Sequence, residues 1–200
     1  MTDFNFIKKD NRELFNYHDE RIPYLSFKCF DELNIVKNAV TLRNTSEGDP
    51  VRLFLVGGAD IKDVTGHNNI LLSELGTDLS HLVKSQQKHT NNVHVVTEDN
   101  PGQDLSGTHI LNTDGLVTDI PGAVLSICVA DCTPLMFVDP VNCAIGIAHS
   151  GRKGTFSSIG SETVNAMVRE FGSDPSDIIA SVGPGICEEC YEVGDEIYDE

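Results

Sequence analysis

The sequence predicts an α+β fold: layered mixed β-sheets with helices packed on the outside. Three observations predict it. Short apolar runs bounded by glycine, proline and asparagine recur along the chain, as strands do. Two of them, Leu135 to Val138 and Ala144 to Ala148, are joined by Asp139-Pro140-Val141-Asn142, which reads as a hairpin turn. Beyond them, Ile159, Thr163, Val164, Met167, Val168 and Phe171 recur with a 3.6-residue period, the mark of one helix face, and Gly172 is a plausible stop. Hairpin joints outnumber crossovers, which argues against a regular array of strand–helix–strand units.

The elements follow in order. Residues 1–20 are polar and read as a loose lead-in, and 21–200 as a single domain. Tyr24 to Phe30 and Ile35 to Leu42 alternate enough to be strands, and Asn44 to Pro50 is a turn-rich loop. Val51 to Val56 is strand-like and ends at Gly57-Gly58. Ile70 to Leu75 and Asp78 to Lys84 read as helical, separated by Gly76. Val93 to Thr97 is a short strand after Asn91-Asn92, and Asn100 to Gly107 is a further loop. Gly115 to Thr118 and Ala123 to Val129 are apolar runs broken by Pro121-Gly122, and Ile178 to Val182 is a strand ending at Gly183-Pro184-Gly185.

Composition narrows the function. Two hundred residues suit one domain with a sizeable core. No apolar run reaches the ~18–20 residues of a membrane span. The start, Met1 to Asp10, has no charged leader followed by a long apolar core, so no signal peptide and a cytoplasmic location are expected. Fourteen basic against 31 acidic residues give −17, which disfavours a nucleic-acid or anionic-membrane partner. An anionic substrate would then need a local basic pocket. The acid-rich end, Glu188 through Glu200, reads as a solvated face. Six cysteines without a secretion signal do not make a disulfide framework. Cys29, Cys128 and Cys143 sit in apolar runs and read as core, and Cys187-Glu188-Glu189-Cys190 is a lone C-x-x-C, a weak metal or redox signal.

Two strand ends carry the chemistry. Ala144 to Ala148 runs into His149-Ser150-Gly151-Arg152-Lys153-Gly154, then into an amphipathic stretch starting near Thr155. Gly151 and Gly154 would let the backbone approach an anion, the helix N–H groups would point at it, and Arg152 and Lys153 would add charge. The other strand end is Ala130-Asp131-Cys132-Thr133-Pro134. A catalytic zinc takes three thiolate or imidazole ligands and keeps one position open, which suits Cys132, His149 and one more histidine. The choices are His18, His67, His81, His89, His94 and His109. His89 closes a helical stretch before a turn and could point into a cleft. Cys132 and His149 could equally be the nucleophile and base of a cysteine hydrolase. A second histidine at bonding distance would mark the zinc site, and an orienting Asp or Asn with an oxyanion hole the hydrolase.

In order along the chain stand Thr113-Asp114-Gly115-Leu116-Val117-Thr118, Val129 to Pro134, His149 to Gly154, Val182-Gly183-Pro184-Gly185-Ile186 and Tyr191-Glu192-Val193-Gly194. Together they resemble the YfiH-like laccase-domain family, now regarded as purine nucleoside phosphorylases and formerly named copper polyphenol oxidases. The resemblance covers roughly residues 20–200. It implies a layered α+β fold and a zinc site, ahead of copper. The family's Gln-x-His corresponds to Gln87-Lys88-His89, so the resemblance selects His89 beside Cys132 and His149. It implies purine nucleoside and phosphate as substrates: phosphorolysis of adenosine, inosine, guanosine and methylthioadenosine, with adenosine deamination as a second activity. Phosphate would lie against Gly151, Arg152, Lys153 and Gly154. Asp131, beside a ligand, would carry a proton or orient a histidine. A non-catalytic metal-binding module is the remaining alternative. Three departures stand out. Arg152-Lys153 replaces the family's Trp-Arg, Ser26-Phe27-Lys28 only loosely matches its Ser/Thr-Arg, and family members run on beyond Tyr-Glu-Val-Gly, so the C-terminal end of the family domain is expected to be missing here.

Overall fold

Alternation along the central strands sets the layers of the fold. The structure, a computed structural model, describes residues 14–98, 105 and 110–198. Most of the expected lead-in, the loop over 100–107 apart from Leu105, and His109 lie outside the described residues. Near the N-terminus, β1 (Phe15–His18), β2 (Tyr24–Phe27) and β3 (Val40–Thr41) form an antiparallel sheet in the order β1-β2-β3. A helical turn, α1 (Lys28–Asp31), follows β2, and α2 (Ile61–Glu74) follows β3. Two short strands, β4 (Leu82–Lys84) and β7 (Val124–Ser126), pair in parallel.

The main sheet holds β5 (Val93–Val95), β6 (Gly115–Thr118), β8 (Thr133–Asp139), β9 (Ala144–Ser150) and β10 (Ile179–Val182), in the order β10-β8-β9-β6-β5. Only β5 and β6 run parallel; the other three pairings are antiparallel. Val117, Phe137, Ala144 and Ala148 pack with Ile159, Ala166 and Met167 of helix α4 (Ile159–Phe171). On the opposite face Leu116 and Ile147 join Val83, Val96 and Ile110, with Leu125 and Met136 packed against them. Period-two alternation therefore feeds two cores from one sheet. Each large aliphatic side chain fully buried there contributes about 1.5–3 kcal/mol. A third cluster, Phe27, Phe30 and Val138, ties the N-terminal sheet to β8.

The register brings distant segments to one sheet edge. Thr133 opposite Ser150 and Pro134 opposite His149 set the start of β8 beside the end of β9. Gly115 opposite Ala148 puts the start of β6 there, and Val93 opposite Gly115 adds the start of β5. Val182 opposite Leu135 brings the end of β10 to the same edge. Every motif that looked chemical in the sequence flanks one of these ends.

The mixed-sheet α+β architecture and the β8–β9 hairpin are as expected. Gly172 closes α4 in the left-handed conformation (φ 69°), its N–H donating to the Val168 carbonyl while the Ser173 N–H reaches the Met167 carbonyl. Several local expectations were wrong. The strand expected over Tyr24 to Phe30 stops at Phe27, and only Val40–Thr41 of Ile35 to Leu42 pairs. Val51 to Val56 belongs to no strand. The helix expected from Ile70 begins nine residues earlier at Ile61, where the Asp60 carboxylate accepts from the Lys62 N–H. Asp78 to Lys84 is a 3-10 turn, Leu79–His81, followed by strand β4. Cys29 and Cys143, expected in the core, are exposed, and Cys128 is half-buried. Phe15–His18, within the stretch read as lead-in, is a paired strand.

Candidate metal centre

Cys132 immediately precedes β8, His149 is the penultimate residue of β9, and His89 lies in the loop before β5. Their ligand atoms all lie within 4.8 Å of one another. Tetrahedral zinc with bonds of about 2.0–2.3 Å spaces its ligands by about 3.5 Å, so slight side-chain rotation would close the set on one ion. Among the described residues this is the one such group found. His149 is 4% exposed, Cys132 half-buried and His89 exposed, so the group opens to solvent past His89. The two imidazoles meet edge to face, with centroids 4.8 Å apart and an interplanar angle of 74°.

The loop carrying His89 is not a helix end, as expected, but a turn with His89 in the left-handed region (φ 59°). That conformation costs a non-glycine residue roughly 1–2 kcal/mol, so its surroundings must hold it. Two groups do. The Gln87 side chain donates to the Cys128 carbonyl (2.8 Å) and accepts from the Cys128 N–H (2.7 Å), lacing the loop to the segment leading to Cys132. The Asp114 carboxylate, fully buried, accepts from the N–H groups of Lys88 (3.0 Å), His89 (3.0 Å) and Thr90 (2.8 Å) and from the Thr90 hydroxyl (2.8 Å). It also lies 2.8 Å from His149 Nδ1. Burial alone would raise the Asp114 pKa. Hydrogen bonds from Thr90, His149 and Lys88 outweigh it and hold the carboxyl below its ordinary value.

In the sequence Asp114 is one residue of the motif from Thr113 to Thr118, and nothing local marks a role for it. Asp131, expected to carry a proton or orient a histidine, is exposed, and the carboxylate bonded to His149 is Asp114. Burial, with Asp131 and Asp114 nearby, pushes the Cys132 thiol up. A free nucleophilic cysteine requires the opposite shift, whereas a coordinating cation deprotonates a thiol outright.

Gly151 explains how the basic turn meets the histidines and the thiol. A Cβ there would lie 2.7 Å from His89 Cδ2, 2.9 Å from Cys132 Sγ and 3.6 Å from His149 Cε1. Only a residue without a side chain leaves room for this convergence. The turn then enters a five-residue helix, α3 (Arg152–Phe156), not the long helix expected near Thr155; α4 begins only at Ile159, after Ser158 in the left-handed region. So short a helix adds little dipole, and the positive character rests on half-buried Arg152 and exposed Lys153. Gly154 is buried and packs on the Thr90 carbonyl, and Asn91 Nδ2 donates to the Ser157 carbonyl (2.9 Å), so this helix is docked on the His89 loop.

The other described histidines stand apart from this group. His18 Nε2 is 2.8 Å from Ser26 Oγ and its ring stacks on Tyr24. His67 accepts from the Arg52 N–H, exposed His81 lies beside Asp78, and burial pulls the His94 pKa down in β5. Cys187 and Cys190 are exposed, and the thiol of Cys190 is pushed up by its hydrogen bond with Cys187. The Ile186 N–H donates to the Asp131 carbonyl, which seats the turn that follows β10 against the Cys132 strand end.

A His–Cys–His cradle at one end of a mixed sheet, beside a glycine-basic turn, offers donors suited to zinc or copper. The chain belongs to the multi-copper polyphenol oxidoreductase laccase family, whose model matches residues 53–200. It is 40% identical over 139 residues to purine nucleoside phosphorylase YlmD of Bacillus subtilis (strain 168), spanning 68% of this chain and 50% of that protein. It is 32% identical over 176 residues to adenosine deaminase RL5 of an unknown prokaryotic organism, spanning 87% and 66%. The crystal structure of the hypothetical protein YfiH of Bacillus licheniformis superposes with a TM-score of 0.82 at 32% identity, over 92% of this chain and 70% of that one. The chain thus spans about half the length of the first of these curated relatives and 66% of the second. No helix among the described residues is long and apolar enough to cross a membrane.

Proposed function

We propose that His89, Cys132 and His149 hold one zinc ion and that the chain is a purine nucleoside phosphorylase. Its substrates are adenosine, inosine, guanosine and methylthioadenosine, with adenosine deamination as a second activity. One observation carries this reading. A Cβ on Gly151 would meet all three ligand side chains, and Gly151 opens the turn bearing Arg152 and Lys153, so an anion held there would lie beside the metal. The phosphorylase and deaminase names of the two relatives support it.

When bound, zinc supplies Lewis acidity beside the substrate. Arg152 presents paired N–H donors to phosphate, Lys153 adds a point charge, and Gly151 and Gly154 keep the turn close. These cations supply the local positive field that a chain of net charge −17 lacks overall. A phosphate oxygen attacks the anomeric carbon of the ribose as the glycosidic bond breaks. The purine leaves with the bonding electron pair and takes up a proton at a ring nitrogen. Asp131, exposed on the rim beside Cys132, is the proton carrier. Incubating the purified chain with adenosine, with and without phosphate, tests the reading. Phosphate-dependent release of adenine and a ribose phosphate supports it, and inosine reports the second activity. Adenine release that survives chelation of the metal counts against zinc.

The Cys132–His149–Asp114 alignment is also that of a cysteine hydrolase, which is the second reading. The approach of His89 to both groups favours the metal. An amidase activity abolished by thiol alkylation and indifferent to chelators would reverse that preference. Zinc bound without any turnover would favour a metal-binding module, and copper in the purified chain would replace zinc in the same donor set.

A further inference from the structure

Resting on the metal reading above, we propose that Asp114 is a positioning residue that fixes two of the three ligands at once. It holds His149 in the tautomer whose Nε2 is free for the metal and locks His89 in its left-handed turn.

Each carboxylate oxygen of Asp114 has its own set of donors. Oδ1 takes the His149 ring at Nδ1 (2.8 Å) and the His89 N–H (3.0 Å). Oδ2 takes the N–H groups of Lys88 (3.0 Å) and Thr90 (2.8 Å) and the Thr90 hydroxyl (2.8 Å). An ionised carboxylate only accepts, so the proton of the neutral imidazole must sit on Nδ1 and the lone pair on Nε2. The same residue's backbone is engaged too: its carbonyl accepts from the His149 N–H at 2.7 Å. Ring and backbone of His149 are thus both referenced to Asp114, which lies directly before β6, the strand paired with β9. Three consecutive amides, 88–90, close around the same side chain and over-determine the strained turn at His89.

Asp114→Asn shows what this arrangement does. With the amide oxygen kept toward Lys88 and Thr90, the new NH₂ replaces Oδ1 and faces the His89 N–H, another donor. It can be satisfied only by His149 Nδ1 turning acceptor, which moves the ring proton to Nε2, where the metal should bind.

Nitrogen-edited NMR of the metal-free protein and chelator-competition titration with zinc test this on wild type and Asp114→Asn. The wild type is expected to show the Nδ1–H tautomer of His149 and slow exchange of the His89 amide. The variant is expected to lose both and to bind zinc about 10- to 100-fold more weakly, while keeping cooperative thermal unfolding. An Nε2–H tautomer in the wild type overturns the proposal whether or not the variant folds. So does a variant with His89 still protected and zinc affinity within about twofold of wild type. No zinc uptake by a wild type that shows the Nδ1–H tautomer would sink the metal reading, while the tautomer and its loss in the variant would still support the positioning role.

Discussion

Gly151→Ala probes the convergence of the site with the smallest available change. Backbone strain is not at issue, because Gly151 has φ −80° and ψ 174°, open to any residue. The effect comes from space. The added methyl would sit 2.7 Å from His89 Cδ2 and 2.9 Å from Cys132 Sγ, against the 3.5–4.0 Å of ordinary carbon contacts. Two of the three ligands, or the turn itself, would have to retreat by close to 1 Å. Overpacking of this kind costs about 1–3 kcal/mol. If the strain falls on the metal-bound geometry, zinc affinity drops about 5- to 150-fold, since each 1.4 kcal/mol is a factor of ten. Zinc affinity is read by competition with a chromophoric chelator, alongside thermal unfolding of the metal-free protein. Unchanged affinity with unchanged melting would refute the reasoning, because the methyl would then have found room that the packing denies it.

Three further outcomes follow from the same geometry. Arg152→Ala should raise the KM for phosphate about tenfold, as expected for losing a charge-assisted contact, and leave zinc affinity unchanged; an unaltered phosphate dependence would place the anion elsewhere. Gln87→Ala strips both partners from the Cys128 backbone, so it should cost about 1–3 kcal/mol and lower Tm by about 2–12 °C; a melt identical to wild type would show the lacing to be idle. The third concerns pH. Asp139 is fully buried at the β8–β9 hairpin. Burial there opposes ionisation, but the nearby Ser173 hydroxyl and hydrogen bonds from Asn142 and Val141 hold its pKa down. Its folded pKa is depressed, so its stabilising contribution is full above the unfolded value of about 4 and is lost as pH falls through the folded one. Asp139→Asn should flatten the loss of Tm below that pH, and an equally steep acid limb would contradict the assignment.

The sequence made some of this legible. The β8–β9 hairpin and α4 were readable because each is a clean periodic run with a marked turn or stop at Asp139-Pro140 or Gly172. The start of α2 was hidden, since Gly66, His67, Asn68 and Asn69 are weak helix formers held by tertiary contacts such as Asn68 Nδ2 to the Leu53 carbonyl. Val51 to Val56 has the composition of a strand but forms no strand pairing among the described residues, and a strand exists only when paired. In the site, Cys132 and His149 were readable as residues at strand ends, but their meeting depends on register, which local spacing does not encode. His89 came from the resemblance to the family rather than from periodicity, which wrongly placed it at a helix end. Asp114 stood in view as an acid before an apolar strand. Its role emerges only when β6 pairs with β9 and the 88–90 loop folds over it.

The central claim is that one thiolate and two imidazoles from separate segments share a metal ion. X-ray absorption at the zinc edge of the zinc-loaded protein tests it most directly. The account predicts one sulfur at about 2.3 Å and two imidazole nitrogens at about 2.0 Å, with one lighter ligand completing the shell. A first shell without sulfur, or one that keeps its sulfur in Cys132→Ala, would contradict it.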